Sequence, residues 1–142
     1  MNPSRRTVCQ TLPLLLAGFT QRASAVEETL SSFAKPFDSL PMHQNGQNQS
    51  RPILNGITHA GCPLEVHETT LAPGSMPHPP HHHEHEEMFL IEKGTVTVTI
   101  AGKSTELGPG SAAFVHSGEE HGIRNTGQEP AQYFVVAIGA QS

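Results

Sequence analysis

Tryptophan is absent from the 142-residue chain and tyrosine occurs once, at Tyr133. Aliphatic side chains and six phenylalanines must therefore supply most of the apolar burial. Only two cysteines are present, Cys9 and Cys62. The first belongs to a leader-like segment, and one remaining thiol cannot pair within the chain, so disulfides do not hold the domain together. Cys62 reads as a small buried apolar group, with a reactive thiol as the alternative. Long apolar runs are missing too. Leu12 to Phe19 falls well short of the roughly 20 residues a membrane-spanning helix needs. Basic residues are scarce, and the three arginines at 5, 6 and 22 lie in the leader-like segment; from residue 26 on, five basic residues face thirteen acidic ones, a net charge of −8. An acidic chain without a basic face excludes nucleic acid and anionic membranes as partners.

The first 25 residues, "MNPSRRTVCQTLPLLLAGFTQRASA", run from a basic head through a short apolar stretch to Ala23-Ser24-Ala25. That order is a secretory signal, and Ser4-Arg5-Arg6 with Val8 resembles the twin-arginine form. The expectation is a leader over 1–25, export to the periplasm or medium, and no stable membrane span after cleavage. The alternative is an N-terminal helix of the domain. Residues 26–50 are weakly patterned and polar toward "MHQNGQNQS", and are expected to form an arm or linker. The domain is expected over 51–142.

Within it no window sustains a helical period. Thirteen glycines and twelve prolines punctuate short β-rich runs. "LEVHETTL" (64–71), "EEMFLIEKG" (86–94), "TVTVTI" (95–100) and "AQYFVVAIG" (131–139) read as strands, and 108–125 as turn, strand, turn, strand. Val96, Val98 and Ile100 alternate with threonines and share one face. A single all-β domain, sandwich or barrel, follows.

The stretch "PHPPHHHEHEEMFLIEKG" (77–94) holds five of the ten histidines. On a strand, residues two apart share a face, so His81 and His83 aim inward together while His82 faces away. Glu87 follows at the start of the next strand, and His121 in "GEEHGIRN" is the fourth partner. Three imidazoles and a carboxylate suit a divalent first-row metal with exchangeable positions. The rival reading is a solvated polar tract with an unrelated turn histidine. His82 and His85 are expected to be exposed, with His85 as the alternative to Glu87. His78 belongs on a rim, and His67, mid-strand, faces either cavity or solvent. Phe89 and Ile91 share Glu87's face and line a cavity beneath the metal, or simply pack the core. Arg124 points to solvent, Asn125 and Gly110 serve turns and strand edges, and Glu65, Glu68 and Tyr133 stay unassigned.

These residues resemble the cupins. Their first motif, G-x5-H-x-H-x3,4-E-x6-G, is matched by His81, His83, Glu87 and Gly94, with Gly74 six residues before His81 instead of five. Their second, G-x5-P-x-G-x2-H-x3-N, is matched by Gly110, Gly118, His121 and Asn125, with His116 at the usual proline. The resemblance extends over residues 50–139. It implies an antiparallel jelly-roll barrel holding one divalent metal (Mn, Fe, Ni, Cu or Zn) on His81, His83, Glu87 and His121. It also implies a homodimer, often joined through an N-terminal arm. His116 could add an imidazole facing the substrate. The expected activity is that of an exported metalloenzyme of dioxygenase, isomerase, lyase or decarboxylase type. It would act on a small polar or aromatic acid, with His67 and His116 as candidate catalytic proton carriers. The alternative is a cupin that sequesters metal or binds a small ligand without converting it.

Overall fold

A computed structural model describes residues 29–139. The leader expected over 1–25, and Cys9 with it, lies outside the described residues. Nine strands follow one another: β1 (His43–Asn45), β2 (Asn48–Ile57), β3 (Pro63–Leu71), β4 (Glu86–Lys93), β5 (Val96–Ile100), β6 (Lys103–Leu107), β7 (Ala112–Val115), β8 (His121–Asn125) and β9 (Ala131–Ile138). They form a six-stranded sheet, β1-β2-β3-β9-β4-β7, and a three-stranded sheet, β6-β5-β8, with every named strand pair antiparallel. No α-helix occurs among the described residues. The fold is the all-β jelly roll.

The interior follows from alternation. Along β9, Ala131, Tyr133, Val135 and Ala137 are buried and their neighbours are not. On β5, Val96 and Val98 go inward, and outward Thr97 and Thr99 bond Thr126 and Ser104 through their hydroxyls. Leu71, Phe89, Ile91, Val115 and Ile123 complete the core. Ile91 sits in this packed layer, whereas Phe89 reaches the cavity wall.

Two features lie outside the strands read from the sequence. The first named strand begins at His43, ahead of residue 51, because Gly46, at φ 60°, closes a two-residue hairpin between Asn45 and Asn48; Thr29 already makes an isolated parallel bridge with Ile57. The polar composition that suggested a linker belongs to an exposed edge strand. Second, β6 had no signature in the sequence. "KSTEL" is nearly all exposed, and it pairs with β5 only because Ala101 and Gly102 both take positive φ, 47° and 77°, in the connecting turn. Cys62 is half-buried, its thiol 3.5 Å from the Pro63 carbonyl.

Asn125 does more than end a strand. Fully buried, it donates through Nδ2 to the carbonyls of Leu71 and Glu129, both at 2.9 Å, and accepts the Gly127 N–H through Oδ1 at 2.9 Å. It thereby ties the end of β3 to the end of β8 and to the turn into β9. Asn125→Ala would leave the buried Leu71 carbonyl, the Glu129 carbonyl and one N–H without these partners, and about 2–4 kcal/mol of folding stability should be lost. Urea unfolding measures this directly, and a loss below about 0.5 kcal/mol would contradict the clamp.

Candidate metal centre

The ligand-bearing segment between β3 and β4 is not a strand. Residues 72–85 run beside β8: Gly74 N–H donates to Asn125 O at 3.0 Å, Asn125 N–H to Ser75 O at 2.9 Å, and His81 and His121 form an isolated antiparallel bridge. Pro77, Pro79 and Pro80 lie between these contacts and have no N–H to give, so no continuous ladder forms. The same-face rule for strands therefore does not explain how His81 and His83 converge. The explanation is the bridge, which opposes His81 to His121, together with a turn in which Gly118 N–H donates to His83 O at 2.9 Å.

The rings of His81, His83 and His121 lie with centroids 4.7–5.2 Å apart. One ligand atom from each falls within 4.8 Å of the others, and His83, His85 and Glu87 form a second such group. Glu87 joins the two. Its Oε2 is 3.1 Å from His121 Nε2, and its Oε1 is 3.4 Å from both His83 Nε2 and His85 Nε2. The structure thus brings the four expected residues to one place. It also corrects His85, which is buried and stacks on His83 at 3.5 Å between centroids instead of standing in solvent. His82 is exposed as expected.

Hydrogen bonding decides which nitrogens are free. His121 Nδ1 faces the Glu119 carbonyl at 2.9 Å, and His83 Nδ1 faces the His85 carbonyl at 2.8 Å. A carbonyl only accepts, so in both rings Nδ1 donates, and in the neutral ring Nε2 carries the lone pair. His121 Nε2 meets the Glu87 carboxylate at hydrogen-bond distance, an arrangement that requires a cation between them, either a proton or a metal. Buried His83 Nε2 and His81 Nδ1 have no hydrogen-bond partner among the described residues. A donor set of imidazoles oriented by backbone carbonyls, plus one carboxylate, fits a divalent transition metal.

Charge follows the same geometry. Burial, helped by positive charge on His78, His121 and His83, lowers His81 to about 4. Burial would raise the Glu87 carboxyl, but its hydrogen bond with His121 and the nearby His83 outweigh this and bring it to about 2. His121 is raised by its hydrogen bond to Glu87, against the opposing effect of burial.

Beside the centre lies a cavity of about 280 Å³, with Glu87 and His121 in its lining. Phe89, Ile123, Tyr133 and Val135 supply an apolar wall, and His67, Thr69, Asn48, Gln49 and Ser50 a polar one. Burial pushes the Tyr133 hydroxyl above its ordinary range, against a hydrogen bond with Thr69. His67 therefore faces the cavity. His116 does not: its ring is exposed, its Nδ1 meets the Ser117 carbonyl at 2.8 Å, and it is absent from the lining. That placement removes it as a proton carrier for this cavity. Arg124 is exposed, and His78 packs edge-on against His81 at the rim.

Asn48 was not singled out from the sequence. It donates to Met76 O at 3.0 Å and accepts from Ala72 N–H at 3.1 Å and from Ser75 Oγ, so the β1–β2 hairpin anchors the ligand segment. An asparagine in a polar tract gives no signal of this.

A family model described as "Cupin domain" matches residues 67–137. Among curated proteins, auxin-binding protein 1 of Arabidopsis thaliana is 32% identical over 121 residues, covering 71% of this chain and 61% of that protein. L-ectoine synthase of Bordetella parapertussis is 31% identical over 88 residues, covering 61% and 65%. The chain thus spans less than two thirds of either relative. An RmlC-like cupin of Shewanella frigidimarina superposes with a TM-score of 0.65 at 17% identity, over 78% of this chain and 93% of that one.

The shifts set the pH behaviour of the metal-free protein. His81 is lowered, so stability should fall as pH drops from 6.5 toward about 4, where the unfolded chain takes the proton first. Glu87 is lowered, so its contribution is present above 4.5 and lost toward about 2. His121 is raised, so its contribution is full below 6.5 and fades as pH rises through its folded value. In urea titrations across this range Glu87→Gln should abolish both the last two effects, and NMR should show the His121 pKa falling. An unmoved His121 would contradict the pairing.

Proposed function

This chain belongs to the cupin family, and from that premise we propose that it is an exported metalloenzyme converting a small polar or aromatic acid. The observation that carries this is the convergence of His83 Nε2 and His121 Nε2, both left with lone pairs by their backbone partners, on the Glu87 carboxylate in the lining of a cavity. His81, His83, Glu87 and His121 would hold the metal. When bound, a divalent ion there leaves the site at +1 and supplies Lewis acidity, or dioxygen activation if it is redox-active. The chain's residues do the rest: the apolar wall of Phe89, Ile123 and Val135 seats a carbon skeleton, and His67 offers a nitrogen for proton movement.

Non-catalytic binding or metal sequestration is the second reading, favoured by exposed His82 and by His78 at the rim. Stoichiometry separates the two. Elemental analysis should find one metal per chain, and His121→Ala should weaken its affinity by about 10–100-fold or more. Several weak equivalents that survive this substitution would favour sequestration.

Export rests on the residue order of segment 1–25, and a homodimer on the face turned away from the cavity. There Leu90 and Phe114 are 41% and 49% exposed on β4 and β7, and Phe33, Phe37 and Met42 of the arm are exposed as well. An apolar arm and an apolar sheet face on one chain suit a second copy. Protein recovered from the exported fraction should begin near Val26 and run as a dimer in light scattering, and Leu90→Asp with Phe114→Asp should yield metal-binding monomers. An intact N-terminus in the exported fraction would contradict the leader. A wild-type monomer would contradict the dimer.

A further inference from the structure

On the same sheet as Glu87 stands a second pair of titratable side chains, of which the proposed function uses only His67. His67 Nδ1 lies 2.7 Å from Glu65 Oε1, on the same strand and the same face. An ionised carboxylate only accepts, so Nδ1 donates and Nε2 carries the lone pair. His67 lines the cavity, and its Nε2 makes no hydrogen bond among the described residues and is not sealed from solvent.

Sheet register sets where this pair stands. β9 runs between β3 and β4, and Ala137 is the partner of both Glu65 and Glu87, while Val135 is the partner of both His67 and Phe89. The dyad thus shares the sheet wall that carries Glu87, two strand spacings or about 10 Å away between α-carbons. The side chain between the two carboxylates is only the buried methyl of Ala137. The gap suits one small molecule touching both ends.

The lining also limits what that molecule is. It includes no lysine or arginine, so the only positive charge offered to a ligand comes from the metal centre and its histidines. Phosphorylated or polyanionic ligands would lack a second counter-charge in the lining, whereas one carboxylate can be matched at the centre. Asn48, Gln49 and Ser50 beside His67 present neutral amides and a hydroxyl, which suit hydroxyl groups on the ligand.

We propose that Glu65 and His67 form a proton-accepting dyad that serves a small hydroxylated monocarboxylate lying along the sheet from the metal centre to His67. His67 Nε2 takes the proton of the ligand hydroxyl. The O–H bond breaks, its electron pair stays on oxygen, the N–H bond forms, and the positive ring that results faces the Glu65 carboxylate. His67 is the catalytic residue of the pair and Glu65 its positioning residue. This deepens the proposed function and rests on it for the carboxylate anchor, though not for the dyad itself.

Bromoacetate tests both parts, since it joins a carboxylate to a carbon that alkylates imidazole with loss of bromide. The full chain, loaded with zinc, is treated with the reagent and its alkylated histidines are mapped by peptide mass spectrometry. His67 should react at Nε2 about tenfold faster than exposed His43 and His59 in the same sample, as expected for a positioned reagent. Neutral iodoacetamide should lose that preference, and Glu65→Gln should slow His67 alone by about fivefold or more. Long-range ¹H–¹⁵N spectra should show His67 as the Nδ1–H tautomer in the wild type and a mixture in Glu65→Gln. Alkylation of His67 no faster than of His43 and His59, or an Nε2–H tautomer in the wild type, would overturn the dyad. A chain that takes up no zinc yet keeps Glu65-dependent alkylation of His67 would sink the metal centre and leave the dyad standing.

Discussion

His81 and His121 exchange both backbone hydrogen bonds, at 3.0 and 2.8 Å, and the rest of the site depends on this two-residue bridge. Forty positions apart in sequence, they meet because the 72–85 segment runs beside β8 without becoming a strand. A full strand would place His81 and His83 on one face but would fix them in a ladder with the side-chain spacing of a pleated sheet. The three prolines interrupt that ladder, leave pinning contacts only at the two ends, and free His83 to turn toward Glu87. The loose edge is also unsuited to pairing with another chain, since a proline offers no donor.

The carboxylate of Glu87 is the second constraint. It lies within 3.4 Å of three imidazoles, and its charge is maintained to about pH 2 by them, chiefly by His121. In the metal-free protein a proton on His121 takes the place of the ion, because the same Nε2 serves both. Metal and proton therefore compete at one atom, and metal affinity must weaken as pH falls below the raised His121 value. Burial of His81 acts the other way. It stays neutral to about pH 4 and is available as a ligand throughout the range in which His121 is the group that resists.

How much of this was legible depended on whether a residue's role was set by local pattern or by a distant partner. Alternation on β5 and β9 reports one buried face, so the all-β reading and the inward valines could be read directly. The spacing of His81, His83, Glu87 and His121 likewise identified residues that the fold brings together. What could not be read was decided across space. β6 is a strand because of its turn and its partner. His85 is buried because His83 offers a ring to stack on, and Asn48 matters because the 72–76 segment arrives beside it. His116 shows the converse, since its place in the motif suggested a functional imidazole and the turn carries it into solvent.

His85 also bears on the chemistry at Glu87. Its Nε2 approaches Glu87 Oε1 at the same 3.4 Å as His83 Nε2, and its ring lies almost parallel to that of His83, 9° between planes. Two stacked imidazoles cannot both direct an in-plane lone pair at one ion, since parallel planes 3.5 Å apart send their lone pairs along separate lines. His83 has its Nδ1 anchored to a carbonyl, whereas buried His85 Nδ1 has no partner among the described residues. The anchored ring has its ligand atom defined and the unanchored ring does not. His85 is therefore better placed to steady the free oxygen of Glu87 and to cover the flank of His83 than to replace either of them. Glu87 would then hold an ion with its carboxylate steadied by His85.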